Sequence, residues 1–141
     1  MAEQAKRTII LDTNFLLIPA QAGVDIFTEI ERICTFPHQV VVLESSVKEL
    51  ETIQKTAKKG KDKDAAKLAL QLVEAKAETQ NINRVASAEA YVDKAILDLA
   101  SKDKDLIIAT QDAELKQKLK GKGNSLIIMR QQTHLVLLDR Q

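Results

Sequence analysis

TIILDTNFLLIP, residues 8–19, is apolar apart from Asp12, Thr13 and Asn14 at its centre. Its first part, Thr8 to Leu11, reads as a strand covered on both faces, because such a strand shows continuous rather than alternating hydrophobicity. Three further β-branched runs share this character: Gln39 to Leu43, Asp105 to Ala109 and Ser125 to Met129. A fifth run, His134 to Leu138, fits an edge strand. Between the runs lie apolar stripes at helical spacing, such as Val24, Phe27, Ile30 and Ile33, or Val47, Leu50, Ile53 and Ala57. Ala65, Leu68, Ala69, Leu72 and Val73 make a third stripe, and Val92, Ala95, Ile96, Leu99 and Ala100 a fourth. Strands alternating with helices imply parallel βαβ units, so the expected fold is α/β, a three-layer α/β/α sandwich around a mainly parallel sheet.

The chain has 141 residues, enough for one ordinary core, and a single domain over residues 1–141 is expected. With 45% apolar and 29% charged residues its usage is globular, and four Gly and two Pro leave little material for disordered linkers. The single cysteine, Cys34, cannot form an internal disulfide, so nothing requires an oxidising compartment. MAEQAKRTII lacks the apolar stretch of a signal peptide, and no run approaches the roughly 18 residues that would cross a membrane. A cytoplasmic protein with no membrane partner is expected. The net charge of +1 does not announce nucleic acid, but the charge is unevenly placed. Residues 53–67 hold six Lys against two Asp, around a Gly60 that most simply marks a turn between two helices, and residues 113–122 hold four Lys against one Glu.

In open α/β sheets, ligands collect outside the carboxyl ends of the strands, where helix amino termini converge. Asp12 sits at such an end, Asp112 follows the third strand by two residues, and Glu49 is expected to open the helix after the second strand. Each has a bland reading. Asp12 suits an Asx-turn or helix cap. Ser46-Val-Lys-Glu49 fits a capping box. Asp112 follows Thr110, a candidate cap, where an acid complements the helix dipole. Asp93 has no cation three or four residues away on its expected helix, and Glu89 repels it, although an ion pair across the sheet remains open. Taken together, four acids from separate segments near one rim would repel one another unless a cation sits among them. With hard oxygen donors and no Cys or His cluster, the pattern suits Mg²⁺ or Mn²⁺, and such sites engage phosphate. His38 and His134 lie far apart and read as ordinary surface or edge residues.

The pattern resembles the PIN-domain ribonucleases, through Ile10-Leu11-Asp12-Thr13-Asn14, Val47-Lys48-Glu49-Leu50, Tyr91-Val92-Asp93 and Ile107-Ile108-Ala109-Thr110-Gln111-Asp112. DTNFLL, VKELE and IIATQDAELKQKLK look most like archaeal relatives of the PIN proteins of small-subunit ribosomal RNA processing, and less like the VapC toxins. The resemblance implies a PIN-like fold and a metal-dependent endoribonuclease in which Asp12, Glu49, Asp93 and Asp112 are catalytic and hold one or two Mg²⁺ or Mn²⁺ ions, with Asn14 and Thr110 in support. Where ribosomal relatives often carry a second acid, this sequence has Lys94. Ribosomal, single-stranded or unpaired RNA, ribosome-assembly proteins and a homodimer are the implied partners.

The RNA-binding residues expected beside the acids are Lys94, Lys116, Lys118 and Lys120, with Lys58 and Lys59 in the first cluster, which reads equally as a solvated turn. At 3% aromatics no interleaved stacking platform is visible, so base reading by stacking is not expected. Other readings are a non-catalytic RNA-binding scaffold, a toxin-type PIN ribonuclease, and an aspartyl phosphatase. The last usually needs Asp-x-Asp on the first strand, where Asn14 stands instead.

Overall fold

The computed structural model describes residues 6–87 and 91–139. Six strands, β1 (Arg7–Leu11), β2 (His38–Leu43), β3 (Asn83–Val85), β4 (Ile107–Ala109), β5 (Ser125–Arg130) and β6 (His134–Leu138), form one sheet in the order β3-β2-β1-β4-β5-β6. The first five are mutually parallel, and β6 closes the sheet as an antiparallel edge. Ile9 pairs with Val40 on one side and Ile107 on the other, so β1 lies at the centre. The chain winds outward from β1 through β2 to β3, then crosses back to β4 on the opposite flank. The strand order therefore reverses between β1 and β4, and that is where a crevice opens at the carboxyl ends.

Seven helices cover the sheet among the described residues: α1 (Thr13–Leu16), α2 (Ile18–Ala22), α3 (Ile26–Ile33), α4 (Glu44–Thr56), α5 (Gly60–Glu78), α6 (Val92–Lys102) and α7 (Ala113–Lys122). Because strand side chains alternate, Ile9, Leu11, Val42, Ile107 and Ala109 face a core built with α1 to α5, while Ile10, Val41, Leu43, Ile108 and Leu126 face α6 and α7. Both faces are buried, as the continuous apolar runs imply. Phe15, fully buried in the first core, fixes α1 and with it the exit of β1. Truncating such a ring to Ala costs about 3–5 kcal/mol.

Several sequence expectations need correction. Two short helices follow β1 that no apolar stripe announced. Pro19 lies in the first turn of α2, and Gly23, at φ 67°, ends it in the left-handed conformation. β3 was not expected, because its three residues are all exposed and carry no apolar pattern. The third expected strand begins at Ile107 rather than Asp105. Most consequential for the site, α4 starts at Glu44 directly after β2, with Leu43 as a cap that offers no side-chain bond. Ser46 is then inside the helix with its hydroxyl buried and unpartnered, so the Ser46–Glu49 capping box does not form.

Connectivity also orients the helical hairpin. α5 leads, through four residues, into the amino-terminal end of β3, so it descends from the carboxyl rim of the sheet. α4 packs against it across the short turn 57–59 and leaves the rim at Glu44, so it must run the other way, outward. With 19 residues at 1.5 Å each, α5 is about 28 Å long against roughly 20 Å for a six-residue strand. Residues 51–64 contain no buried position. The hairpin tip thus stands beyond the rim on which Asp12 lies.

Candidate active site

Backbone register brings the two central strand exits together: the Asp12 N–H donates to the Ala109 carbonyl at 2.9 Å, and the Thr110 N–H donates to Ile127 at 3.2 Å. Asp12 is buried, at 4% exposure, and both carboxylate oxygens are engaged. Oδ1 accepts from the Thr13 N–H at 2.8 Å, capping α1, and Oδ2 accepts from the Thr110 hydroxyl at 2.7 Å. The cap reading of Asp12 is therefore correct, and the same carboxylate also holds the Thr110 hydroxyl. Burial pushes its carboxyl up to about 6, the Thr110 and Thr13 bonds pull the other way, and Asp93 and Glu49 add to the rise.

Thr110 also accepts the Asp112 N–H at 3.0 Å, so one hydroxyl orients both aspartates. It was expected as a helix cap, but the cap of α7 is Asp112 itself, whose Oδ1 accepts from the Leu115 N–H at 2.9 Å. Asn14 holds the adjacent loop: its Oδ1 accepts the Gln111 N–H at 3.2 Å, and its carbonyl accepts from Gln111 Nε2 at 3.2 Å. The sequence assigns Gln111 no role, because a polar residue between a supporting threonine and a candidate ligand carries no signal of its own.

Asp12, Asn14, Glu49, Tyr91, Val92, Asp93 and Asp112 line one cleft of about 300 Å³ at the switch point. Glu49 projects from the second turn of α4, Asp93 from the first turn of α6, and both are exposed. Burial raises the Glu49 carboxyl and Asp93 raises it further, while the Thr13 hydroxyl, buried beside it but in no formed hydrogen bond, moderates the rise. Asp93 is raised by partial burial and then by Asp112 and Glu114, with Lys118 opposing. Among the described residues no lysine or arginine forms an ion pair with any of the four acids. Glu89, the expected repulsive neighbour of Asp93, lies outside the described residues.

The acids share a cleft but not a closed cage. Among the described residues, no three are drawn together tightly enough to enclose an ion by themselves. The donor set is nevertheless all hard oxygen, with no lysine or arginine ion-paired to it among the described residues, and Mg²⁺ characteristically keeps several waters and takes only one or two carboxylates directly. The residues fit a partly hydrated Mg²⁺ or Mn²⁺, with Asp12 at the floor and the others around it.

The lysines divide. Lys118, paired with Glu114 at 3.5 Å, lies close enough to Asp93 to offset its neighbours. Lys116 is half-buried in the first half of α7. Lys120 is not brought to the cleft, because α7 runs from the rim to the amino-terminal end of β5 and Lys120 lies in its last turn. Lys94 is exposed on α6 beside Asp93 and does not line the cleft. Lys58 and Lys59 are exposed at the hairpin tip.

This fold and this arrangement of acids define a class, and the sequence matches the PIN-like domain family over residues 9–132. The chain belongs to that family. It is 35% identical over 127 residues to Ribonuclease VapC4 of Methanocaldococcus jannaschii, covering 89% of this chain and 92% of that one. It is similar in fold to the PIN domain endonuclease Utp24, at a TM-score of 0.73 and 20% identity over 95% of each chain. A domain of a functionally unknown protein from Methanocaldococcus jannaschii matches at a TM-score of 0.61 and 18% identity, over 88% of this chain and 91% of that one. The expectation that the chain looks less like the VapC toxins does not set it apart from a relative that carries that name.

Proposed function

We propose that the protein is a divalent-metal-dependent endoribonuclease. One observation carries the reading: four carboxylates from four segments line a single cleft at the switch point, with no ion-paired cation among the described residues to relieve them. The relationship to a ribonuclease supports it. When bound, Mg²⁺ or Mn²⁺ would supply a deprotonated water nucleophile and neutralise charge developing on the phosphoryl oxygens. The chain itself supplies position. Thr110 and the Thr13 N–H hold both oxygens of Asp12 in fixed directions, the α7 cap holds Asp112, and Glu49 and Asp93 face the floor from two walls. Lys118 and the hairpin tip with Lys58 and Lys59 would take flanking phosphates.

The finer proposal is ribosomal RNA as substrate, single-stranded or unpaired, in the cytoplasm and with assembly proteins or a second copy as partners. It is supported by the DTNFLL, VKELE and IIATQDAELKQKLK phrases. The likeness to VapC4 favours a second reading, a toxin-type ribonuclease of the same chemistry. The test is incubation of unstructured RNA with the protein in Mn²⁺ and in EDTA, beside Asp12→Asn and Asp93→Asn. Cleavage in Mn²⁺ alone, absent from both variants, supports the reading. Cleavage that survives EDTA, or both substitutions, overturns it, and RNA binding without cleavage makes the protein a scaffold.

A further inference from the structure

Tyr91 caps α6 at the mouth of the acidic cleft, in extended backbone (φ −94°, ψ 123°), and is 76% exposed. It is the sole tyrosine of a chain without tryptophan. The three phenylalanines are all occupied: Phe15 is in the core, Phe27 carries the Lys76 ammonium at 5.1 Å, and Phe36 lies against Arg7 and His38. Its carbonyl accepts the Ala95 N–H at 3.0 Å within α6, but among the described residues the Tyr91 side chain has no ring or hydrogen-bond partner. A large ring presented to water beside four carboxylates serves neither the core nor the acids. It does offer a flat face at the point where a polynucleotide would enter the cleft.

We propose that Tyr91 is the platform on which an unpaired base flanking the scissile phosphate stacks. The proposal rests on the reading of the cleft as an RNA site and narrows its substrate to single strands, because a base within a duplex has both faces already stacked. It is consistent with the expectation that bases are not read by stacking, since a single ring is no interleaved platform. Single-strand sites combine a cationic track for phosphates with aromatic faces for bases. Lys118, close enough to Asp93 to offset its charge, supplies the first on the α7 side, and Tyr91 supplies the second on the α6 side. Stacking tolerates any base, so this contact fixes the strand's register at the acids without reading its sequence.

The composition provides the probe, since intrinsic tyrosine emission comes from Tyr91 alone. In EDTA and low salt, the full chain is titrated with a short single-stranded oligoadenylate. An abasic oligomer of equal length and charge is titrated in parallel, and occupancy is followed independently by anisotropy of an end label. Emission is expected to fall with occupancy by oligoadenylate and to stay level with the abasic strand. Tyr91→Ala should weaken oligoadenylate binding about 5- to 150-fold, the range for losing one base–aromatic stack, with Tyr91→Phe and Tyr91→Trp close to wild type. An exposed ring leaves the fold intact when truncated, which an unchanged melting curve verifies. Emission that does not move at full occupancy, or Tyr91→Ala binding as wild type does, overturns the proposal. Quenching without any Mn²⁺-dependent cleavage would remove the nuclease reading and leave the stacking platform standing, whereas cleavage without quenching removes the platform alone.

Discussion

The Thr110 hydroxyl lies 2.7 Å from Asp12 Oδ2, joining the exits of two neighbouring strands across 98 positions of sequence. The same oxygen accepts the Asp112 N–H, and its single proton goes to the near Asp12 carboxylate in preference to Asn14 Oδ1 at 3.4 Å. Thr110→Val removes both the donor and the acceptor while keeping the shape. Orienting partners of this kind are worth about 10- to 100-fold in activity. Losing a bond that favours the ionised form also lifts the Asp12 carboxyl above its value of about 6, so the acid limb of the pH–rate profile should move to higher pH. Thr110→Ser should restore both the rate and the limb. An acid limb unchanged in the valine variant would show that Thr110 only fills space.

Asp12 also makes stability depend on pH in an unusual direction. Its folded-state value, about 6, exceeds the ordinary 3.8, so between these pH values the native state holds more protons than the unfolded one. Stability therefore falls as pH rises from about 4 through 6, and the ionised site costs on the order of 3 kcal/mol above that range. Asp12→Asn keeps a competent helix cap and removes the charge. In metal-free buffer at pH 8 it should melt several degrees above wild type, and the difference should vanish near pH 4. Mn²⁺ should raise the wild-type melting temperature and leave the variant unmoved. A metal-free Asp12→Asn that melts below wild type at pH 8 would contradict the account of an uncompensated site.

What the sequence disclosed follows from burial. β1, β2, β4 and β5 are covered on both faces and so write continuous apolar runs, whereas β3 is exposed at all three residues and writes nothing. α1 and α2, at four and five residues, are too short for a stripe to recur. The acids were legible because each follows a strand or opens onto the rim from a helix. The mutual distances were not, since they depend on how α4 and α6 dock. The local rules also compete without a winner. Thr110 and Asp112 can both cap α7, and only the fold shows the threonine turned toward Asp12. The capping-box spelling at Ser46 lost to a helix that starts two residues earlier, which is what frees Glu49 to face the cleft.

The open edge of the sheet is closed by side chains. Glu29 on α3 accepts the Leu135 N–H at 3.0 Å, Arg32 donates to the Leu135 carbonyl at 3.0 Å, and the two are joined by paired bonds at 2.7 and 2.9 Å. The Arg32 bond, then the Leu135 N–H, hold the Glu29 carboxyl down at about 2. Its contribution is complete above the ordinary 4.5 and is lost as pH falls toward 2. Allowing for solvent screening, it is worth about 1 kcal/mol or less. Glu29→Gln should lower the melting temperature at pH 7 and flatten the acid-unfolding curve below pH 4.5, and it should expose Leu135 in amide exchange. Unchanged exchange at Leu135 would show that β6 is held by β5 alone.

The directions of α5 and α7 separate the lysines into two sets that salt can distinguish. Lys58 and Lys59 are exposed at the tip of the hairpin beyond the acidic rim, while Lys120 lies in the last turn of α7, toward the opposite end of the sheet. For single-stranded nucleic acid, each phosphate neutralised adds about 0.7 to the slope of log affinity against log salt. Lys58→Ala combined with Lys59→Ala should lower that slope by about 1.4, and Lys118→Ala by somewhat less than 0.7, because its charge is shared with Glu114. Lys120→Ala should leave the slope unchanged, although in sequence it belongs to the cluster that follows Asp112. The measurement is equilibrium binding of a short RNA in EDTA across about 50 to 200 mM salt. Should Lys120→Ala lower the slope as much as the tip variant does, the strand would run down α7 instead of rising past Asp93 toward the hairpin, and the cleft would be entered from the other side.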